Sequence, residues 1–124
     1  MNVVDSSGWL EYFAEGMNAD FFAAVIETTE ELIVPTLNLY EVFKRIMQQR
    51  TEDEALQIVA SMKQGRVVEL DADIALRAAH LSLELELPMA DSMMLATARE
   101  YDAVFWTQDS HFAGIEGVRY TAAG

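Results

Sequence analysis

Three short, mostly apolar runs, Asn2-Val3-Val4, Leu32-Ile33-Val34 and Val104-Phe105-Trp106, punctuate a chain whose remaining segments are largely helical in pattern. Apolar runs without polar alternation are the mark of strands buried on both faces, and such strands belong to parallel sheets covered by helices on each side. Just beyond these runs, or in the first turn of a following helix, stand four acids: Asp5, Glu41, Asp91 and Asp109. If the runs are neighbouring parallel strands, their carboxyl ends form the crevice where open α/β sheets bind ligands, and the four acids share it. At about 4 Å and an effective dielectric near 20, two like charges repel by roughly 4 kcal/mol. A pocket of this kind demands protons or a divalent cation. Hard cations such as Mg²⁺ take oxygen ligands and keep several waters, which suits chemistry on phosphates.

The segments between the runs supply the helices. Ser6 to Glu15 reads as a short helical piece, Ala19 to Glu27 as another, and Glu31 to Pro35 as a strand. From Asn38 the spacing of Leu39, Val42, Phe43, Ile46 and Met47 makes a helical stripe, with Glu41 off it. Thr51 followed by Glu54 is a capping box, and Ala55, Ile58, Val59 and Met62 continue a helix that Gly65 can end. Arg66 to Leu70 resembles a strand; Ile74 to Leu85 is helical; Pro88 separates it from a helix carrying Met94, Leu95 and Ala98. Ala103 to Thr107 is a buried strand, a turn runs through Asp109 to Phe112, and Val118 to Tyr120 supplies an edge strand. The expectation is a parallel sheet in a single domain spanning residues 1–124, with no linker, repeat or low-complexity tract inside it.

The absence of cysteine excludes a thiolate nucleophile and a zinc–thiolate site, so a metal must be held by oxygen or by the two histidines. No apolar stretch reaches the roughly 18 to 20 residues of a membrane span, and a cytoplasmic location is expected. The net charge of −13, with only eight Lys and Arg, excludes a broad basic face for nucleic acid. Substrate nucleic acid would then depend on bound cations, on Lys44 and Arg45 as local guides, or on a basic partner covering the acidic surface.

Four segments carry a resemblance: Val3-Val4-Asp5-Ser6-Ser7; Asn38-Leu39-Tyr40-Glu41-Val42; Leu87-Pro88-Met89-Ala90-Asp91-Ser92 with Ala96-Thr97-Ala98; and Trp106-Thr107-Gln108-Asp109-Ser110-His111-Phe112. In order and spacing they resemble the signatures of PIN-domain ribonucleases, and the overall length is similar to that of VapC-type toxins. The resemblance implies a three-layer α/β/α fold with a parallel sheet of about five strands. It also implies Mg²⁺ or Mn²⁺ in the acidic pocket, endonucleolytic cleavage of RNA, a cognate antitoxin, and frequent homodimers. Carried over residue by residue, Asp5, Glu41, Asp91 and Asp109 match the acidic positions. Thr107 matches the hydroxyl that supports the site, and Ser6 looks like a second polar support. One ion bridging Asp5 and Asp91, with Asp109 contributing directly or through water, and a second near Glu41, is the expected arrangement. Ser92 stands where a small apolar residue is usual, and Gln108 and Ser110 stand where basic residues often occur.

Plainer readings stand beside these. Taken alone, Glu41 completes a capping box with Asn38 and pairs with Lys44 and Arg45 on the helix surface. Asp91 and Asp109 alone are ordinary first-turn and Asx-turn residues. Asp5 has no evident structural partner nearby. His80 reads as a helix residue without chemical duty; His111, close behind Asp109, reads first as a surface histidine, with contact to RNA or to an outer metal shell as the alternative; the methionines read as core or interface filler. Two other functional classes share parts of the pattern. A phosphoacceptor receiver has a parallel sheet and an acidic Mg²⁺ pocket, but needs a lysine at the end of its last strand, where this chain has Arg119-Tyr120. A catalytically silent PIN-like binding module would keep the fold without the chemistry.

Overall fold

Alternation along each strand decides which layer a residue joins. In the computed structural model, which covers residues 1–124, β1 (Asn2–Val4) sends Val3 to one face of the sheet and Val4 to the other. Its neighbours β2 (Leu32–Pro35) and β4 (Val104–Thr107) do the same, with Ile33 and Phe105 beside Val3 and with Leu32, Val34 and Trp106 on the face of Val4. The sheet has five strands in the order β3-β2-β1-β4-β5, completed by β3 (Arg66–Val68) and β5 (Val118–Tyr120), and every pairing is parallel.

On the Val4 face pack α1 (Ser6–Phe13), α2 (Ala19–Ile26), α3 (Thr36–Gln49) and α4 (Glu52–Met62), through Trp9, Phe22, Val25, Val42, Ile46, Ala55 and Met62. On the Val3 face pack α5 (Ala72–Leu85) and α6 (Met89–Glu100), through Ile74, Ala78, Leu81, Met94 and Leu95. The result is the expected three-layer α/β/α sandwich. Each fully buried side chain of the size of Phe105 or Leu95 contributes about 1.5–3 kcal/mol, so both layers hold the sheet firmly. Gly8 lets α1 approach closely: a Cβ there would fall 2.6 Å from the Phe22 ring and 2.8 Å from Val4.

The capping signals act locally. Thr51 Oγ1 accepts from the Glu54 N–H at 3.2 Å, and Asp71 Oδ1 from the Ile74 N–H at 2.9 Å, which starts α5 two residues before the apolar pattern does. Glu86 ends α5 in the left-handed region at φ 55°, an arrangement costing a non-glycine residue about 1–2 kcal/mol. Three further boundaries differ from the sequence reading by two residues. The third strand stops at Val68 rather than Leu70, because only Arg66, Val67 and Val68 find partners on β2. Helix α1 ends at Phe13, and Glu15 takes a left-handed φ of 54° beyond it. Helix α3 begins at Thr36, directly after the strand, so Asn38 lies inside it and is not its cap.

This strand order places the topological switch between β1 and β4. The chain leaves β1 towards β2 and β3 on one side and returns to β4 and β5 on the other. At such a switch the loops beyond the carboxyl ends diverge and leave a crevice between them. Asp5 follows β1 directly, and Asp109 lies two residues beyond β4.

Candidate active site

Asp5 does have structural partners, contrary to its bare appearance in the sequence. It caps α1, with Oδ1 accepting from the Ser6 N–H at 2.8 Å. Its Oδ2 accepts from Thr107 Oγ1 at 2.8 Å and from Ser7 Oγ at 3.0 Å. Thr107 Oγ1 in turn accepts from the Asp109 N–H at 2.9 Å, so one buried hydroxyl ties the ends of β1 and β4 together. Burial pushes the Asp5 carboxyl up from 3.8 to about 6 against the pull of these hydroxyls, and the charges of Asp91 and Asp109 add to the rise.

Asp91, in the first turn of α6, is half-buried. Desolvation raises its carboxyl, the hydrogen bond from His111 opposes the rise, and the charges of Asp109 and Glu41 reinforce it. Asp109 opens the 3₁₀ turn Ser110–Phe112 and accepts from the His111 N–H at 3.0 Å. These mutual effects tie all four acids into one electrostatic neighbourhood.

Glu41 projects from α3 across to α1, where its Oε1 accepts from Ser6 Oγ at 2.7 Å. Ser6 Oγ accepts in turn from Asn38 Nδ2 at 2.9 Å. Asn38 is fully buried and its Oδ1 has no hydrogen-bond partner. The capping-box reading of Asn38 and Glu41 therefore fails, and neither Lys44 nor Arg45 forms an ion pair with Glu41. Asn38 is a site residue the sequence reading missed. Its position three residues before Glu41, on the same helical face, was the available signal.

His111 is exposed, as the surface reading has it, yet it stands against two of the acids. Its Nδ1 lies 3.1 Å from Asp91 Oδ2 and 3.3 Å from Asp109 Oδ1. The hydrogen bond to Asp91, then the charge of Asp109, holds the imidazole above its usual pKa. Asp91, Asp109 and His111 each offer a ligand atom within 4.8 Å of the others. Two ligands at about 2.1 Å from one octahedral ion lie roughly 3 to 4 Å apart, so this donor set fits one divalent cation. Asp5 falls outside that group, with three donors already on its carboxylate. His80 is exposed on α5 and does not belong to this group.

The two basic guides part company. Arg45 lines a cavity of about 330 Å³ together with Ser7, Glu11, Arg50 and Gln108; none of the four acids lines it, but Ser7 donates to Asp5 and Gln108 directly precedes Asp109. Lys44 sits over the Tyr40 ring at 5.6 Å and lines an apolar groove between α3 and α4 that contains none of the four acids. No helix is long and apolar enough to cross a membrane.

Two acids stand at the carboxyl ends of β1 and β4, a third in the first turn of α6 and a fourth on α3. Residues 3–118 match the family model of the PIN domain, and the chain belongs to that family. This overturns the receiver alternative, whose flavodoxin-like strand order of 2-1-3-4-5 also differs from the order found. By sequence, no curated protein matches it. Among solved structures it is similar to a toxin–antitoxin complex from Klebsiella pneumoniae, with a TM-score of 0.81, 22% identity and 96% of each chain covered. It is also similar to DNA-bound VapBC from Salmonella typhimurium, with a TM-score of 0.75, 16% identity and 98% of each chain covered. A third similar structure is the sarcin–ricin loop-cleaving toxin VapC20 of Mycobacterium tuberculosis, with a TM-score of 0.72, 18% identity, and 96% and 99% of the two chains covered.

Proposed function

We propose that this chain is a metal-dependent endoribonuclease, the VapC-like toxin of a toxin–antitoxin pair, acting in the cytoplasm as a single domain over residues 1–124. The observation that carries the reading is the placement of Asp5 and Asp109 at the ends of β1 and β4, joined through Thr107, with Asp91 beside Asp109 and Glu41 bonded to Ser6, at the β1/β4 switch of a PIN-family chain. Clustered, partly desolvated carboxylates have little structural use, and a divalent cation, Mg²⁺ or Mn²⁺, is what relieves them.

Asp91 and Asp109 would hold a divalent cation, which when bound would supply positive charge at the scissile phosphate. The chain's own groups do the rest. Thr107 and Ser7 hold the Asp5 carboxylate facing the crevice, where it can accept a proton from an attacking water. Ser6, fixed by Asn38, holds Glu41 on the opposite wall. Arg45 shares a cavity with Ser7, which donates to Asp5, and with Gln108, which precedes Asp109, and we assign it, rather than Lys44, to phosphate contact.

The toxin role is supported by two of the similar structures, one described as a toxin–antitoxin complex and one as a sarcin–ricin loop-cleaving toxin. A cognate antitoxin with an Arg-bearing tail in the acidic crevice would answer the −13 charge, and a second copy of the chain would complete a homodimer. The test is cleavage of a mixed RNA pool by purified protein with Mg²⁺ or Mn²⁺ and with chelator. Cleavage that needs metal and disappears in Asp5→Asn is expected. A folded, metal-loaded protein that leaves every RNA intact would instead identify a silent PIN-like binding module.

A further inference from the structure

We propose that His111 is itself a ligand of the metal held by Asp91 and Asp109, binding through Nδ1, so that the site is a mixed oxygen and nitrogen site selective for Mn²⁺ over Mg²⁺. The inference rests on the reading of this pocket as a metal site and extends it to a residue outside the acidic quartet.

Geometry carries it. The separations of Nδ1 from Asp91 Oδ2 and Asp109 Oδ1, 3.1 and 3.3 Å, are close to the edge of an octahedron around an ion with ligands at about 2.1 Å, roughly 3 Å. The imidazole is also placed by the backbone. The His111 N–H donates to Asp109 Oδ1 within one turn, and the Phe112 N–H donates to the Asp109 carbonyl at 3.1 Å. Phe112 anchors that turn in the core, fully buried with its ring 4.8 Å from Phe105. The ring therefore starts from a fixed point beside both carboxylates. Nδ1 lies beside both carboxylates, and the neutral ring with its proton on Nε2 would present the Nδ1 lone pair to an ion from that same position.

The chemistry of the donor sets the selectivity. Carboxylates and water suit Mg²⁺ and Mn²⁺ alike, whereas imidazole suits the later divalent ions and is a poor ligand for Mg²⁺, which takes oxygen. Three protein ligands leave three positions on an octahedral ion for water and phosphate oxygen.

The test is spectroscopic and independent of RNA. Mn²⁺ bound to the wild-type protein at neutral pH is examined by pulsed paramagnetic resonance for echo modulation from a directly bound imidazole nitrogen. With only His80 and His111 in the chain, His80→Gln serves as the control. The expected result is nitrogen modulation in the wild type and in His80→Gln, lost in His111→Gln. The last should also bind Mn²⁺ about tenfold or more weakly while Mg²⁺ binding changes little; displacing even a group that only orients a ligand costs 10- to 100-fold. Wild-type protein that binds Mn²⁺ with no nitrogen signal overturns the assignment and leaves the nuclease reading standing. Wild-type protein that binds no Mn²⁺ at all overturns both.

Discussion

Thr107 Oγ1 donates to Asp5 Oδ2 at 2.8 Å while accepting from the Asp109 N–H at 2.9 Å, so a single hydroxyl sets the spacing of two site acids. Replacing it with the isosteric Thr107→Val leaves a buried carboxylate short of one donor and an amide without its acceptor. The loss of such buried partners costs roughly 1–3 kcal/mol each. The variant should remain folded, melt lower, and cleave RNA at least tenfold more slowly. Melting followed by circular dichroism, with cleavage rates at saturating metal, checks both; unchanged cleavage would remove Thr107 from the site.

Asp5 gives the protein a pH-dependent weakness. Its folded carboxyl sits near 6 against 3.8 unfolded, so the native state binds the extra proton between those values. The stabilisation is fully present below about pH 4 and is lost as pH rises through about 6. Roughly two pK units correspond to about 3 kcal/mol at most. Metal-free wild type should therefore be less stable at pH 7.5 than near pH 5 in this contribution. Asp5→Asn should flatten the dependence and melt higher above pH 6, while losing cleavage. Thermal melts in chelator across that range decide the matter, and added Mn²⁺ should restore wild-type stability at high pH only.

The same coupling bears on what could be read from residues alone. The strands β1, β2 and β4 were legible because burial on both faces leaves uninterrupted apolar runs, and their acids followed from strand ends. The start of α3 was not legible, because Pro35 precedes it without any side-chain cap and the apolar stripe begins later. That hid Asn38, whose partner Ser6 lies 32 residues away. His111 was legible only as a neighbour of Asp109: its contact with Asp91, 20 residues upstream, leaves no trace in local sequence.

Ser6 connects the walls of the pocket through two contacts. Ser6→Ala would strip Glu41 of its donor and leave Asn38 Nδ2 as well as Oδ1 without a partner inside the core. A destabilisation of about 1–3 kcal/mol is expected. Ser6→Ala with Asn38→Leu should recover part of that stability, since both ends of the orphaned pair become apolar, but not the cleavage rate. A double-mutant cycle on melting and on kcat separates the two effects, and additive energies would mean that the hydrogen bond is not the link.

Adjacent helix positions point about 100° apart, so Lys44 and Arg45 need not serve the same surface. Arg45 faces the cavity shared with Ser7 and Gln108, whereas Lys44 lies over Tyr40 in the apolar groove. Arg45→Ala should weaken binding of single-stranded RNA and lower the slope of log affinity against log salt by about 0.7, the signature of one lost phosphate contact on a single strand. Lys44→Ala should leave both unchanged. Binding is best measured in catalytically inactive Asp109→Asn with Ca²⁺ present, over a salt series. Equal effects of the two substitutions would show that the backbone path runs over the face of α3 and not along the crevice beside Ser7.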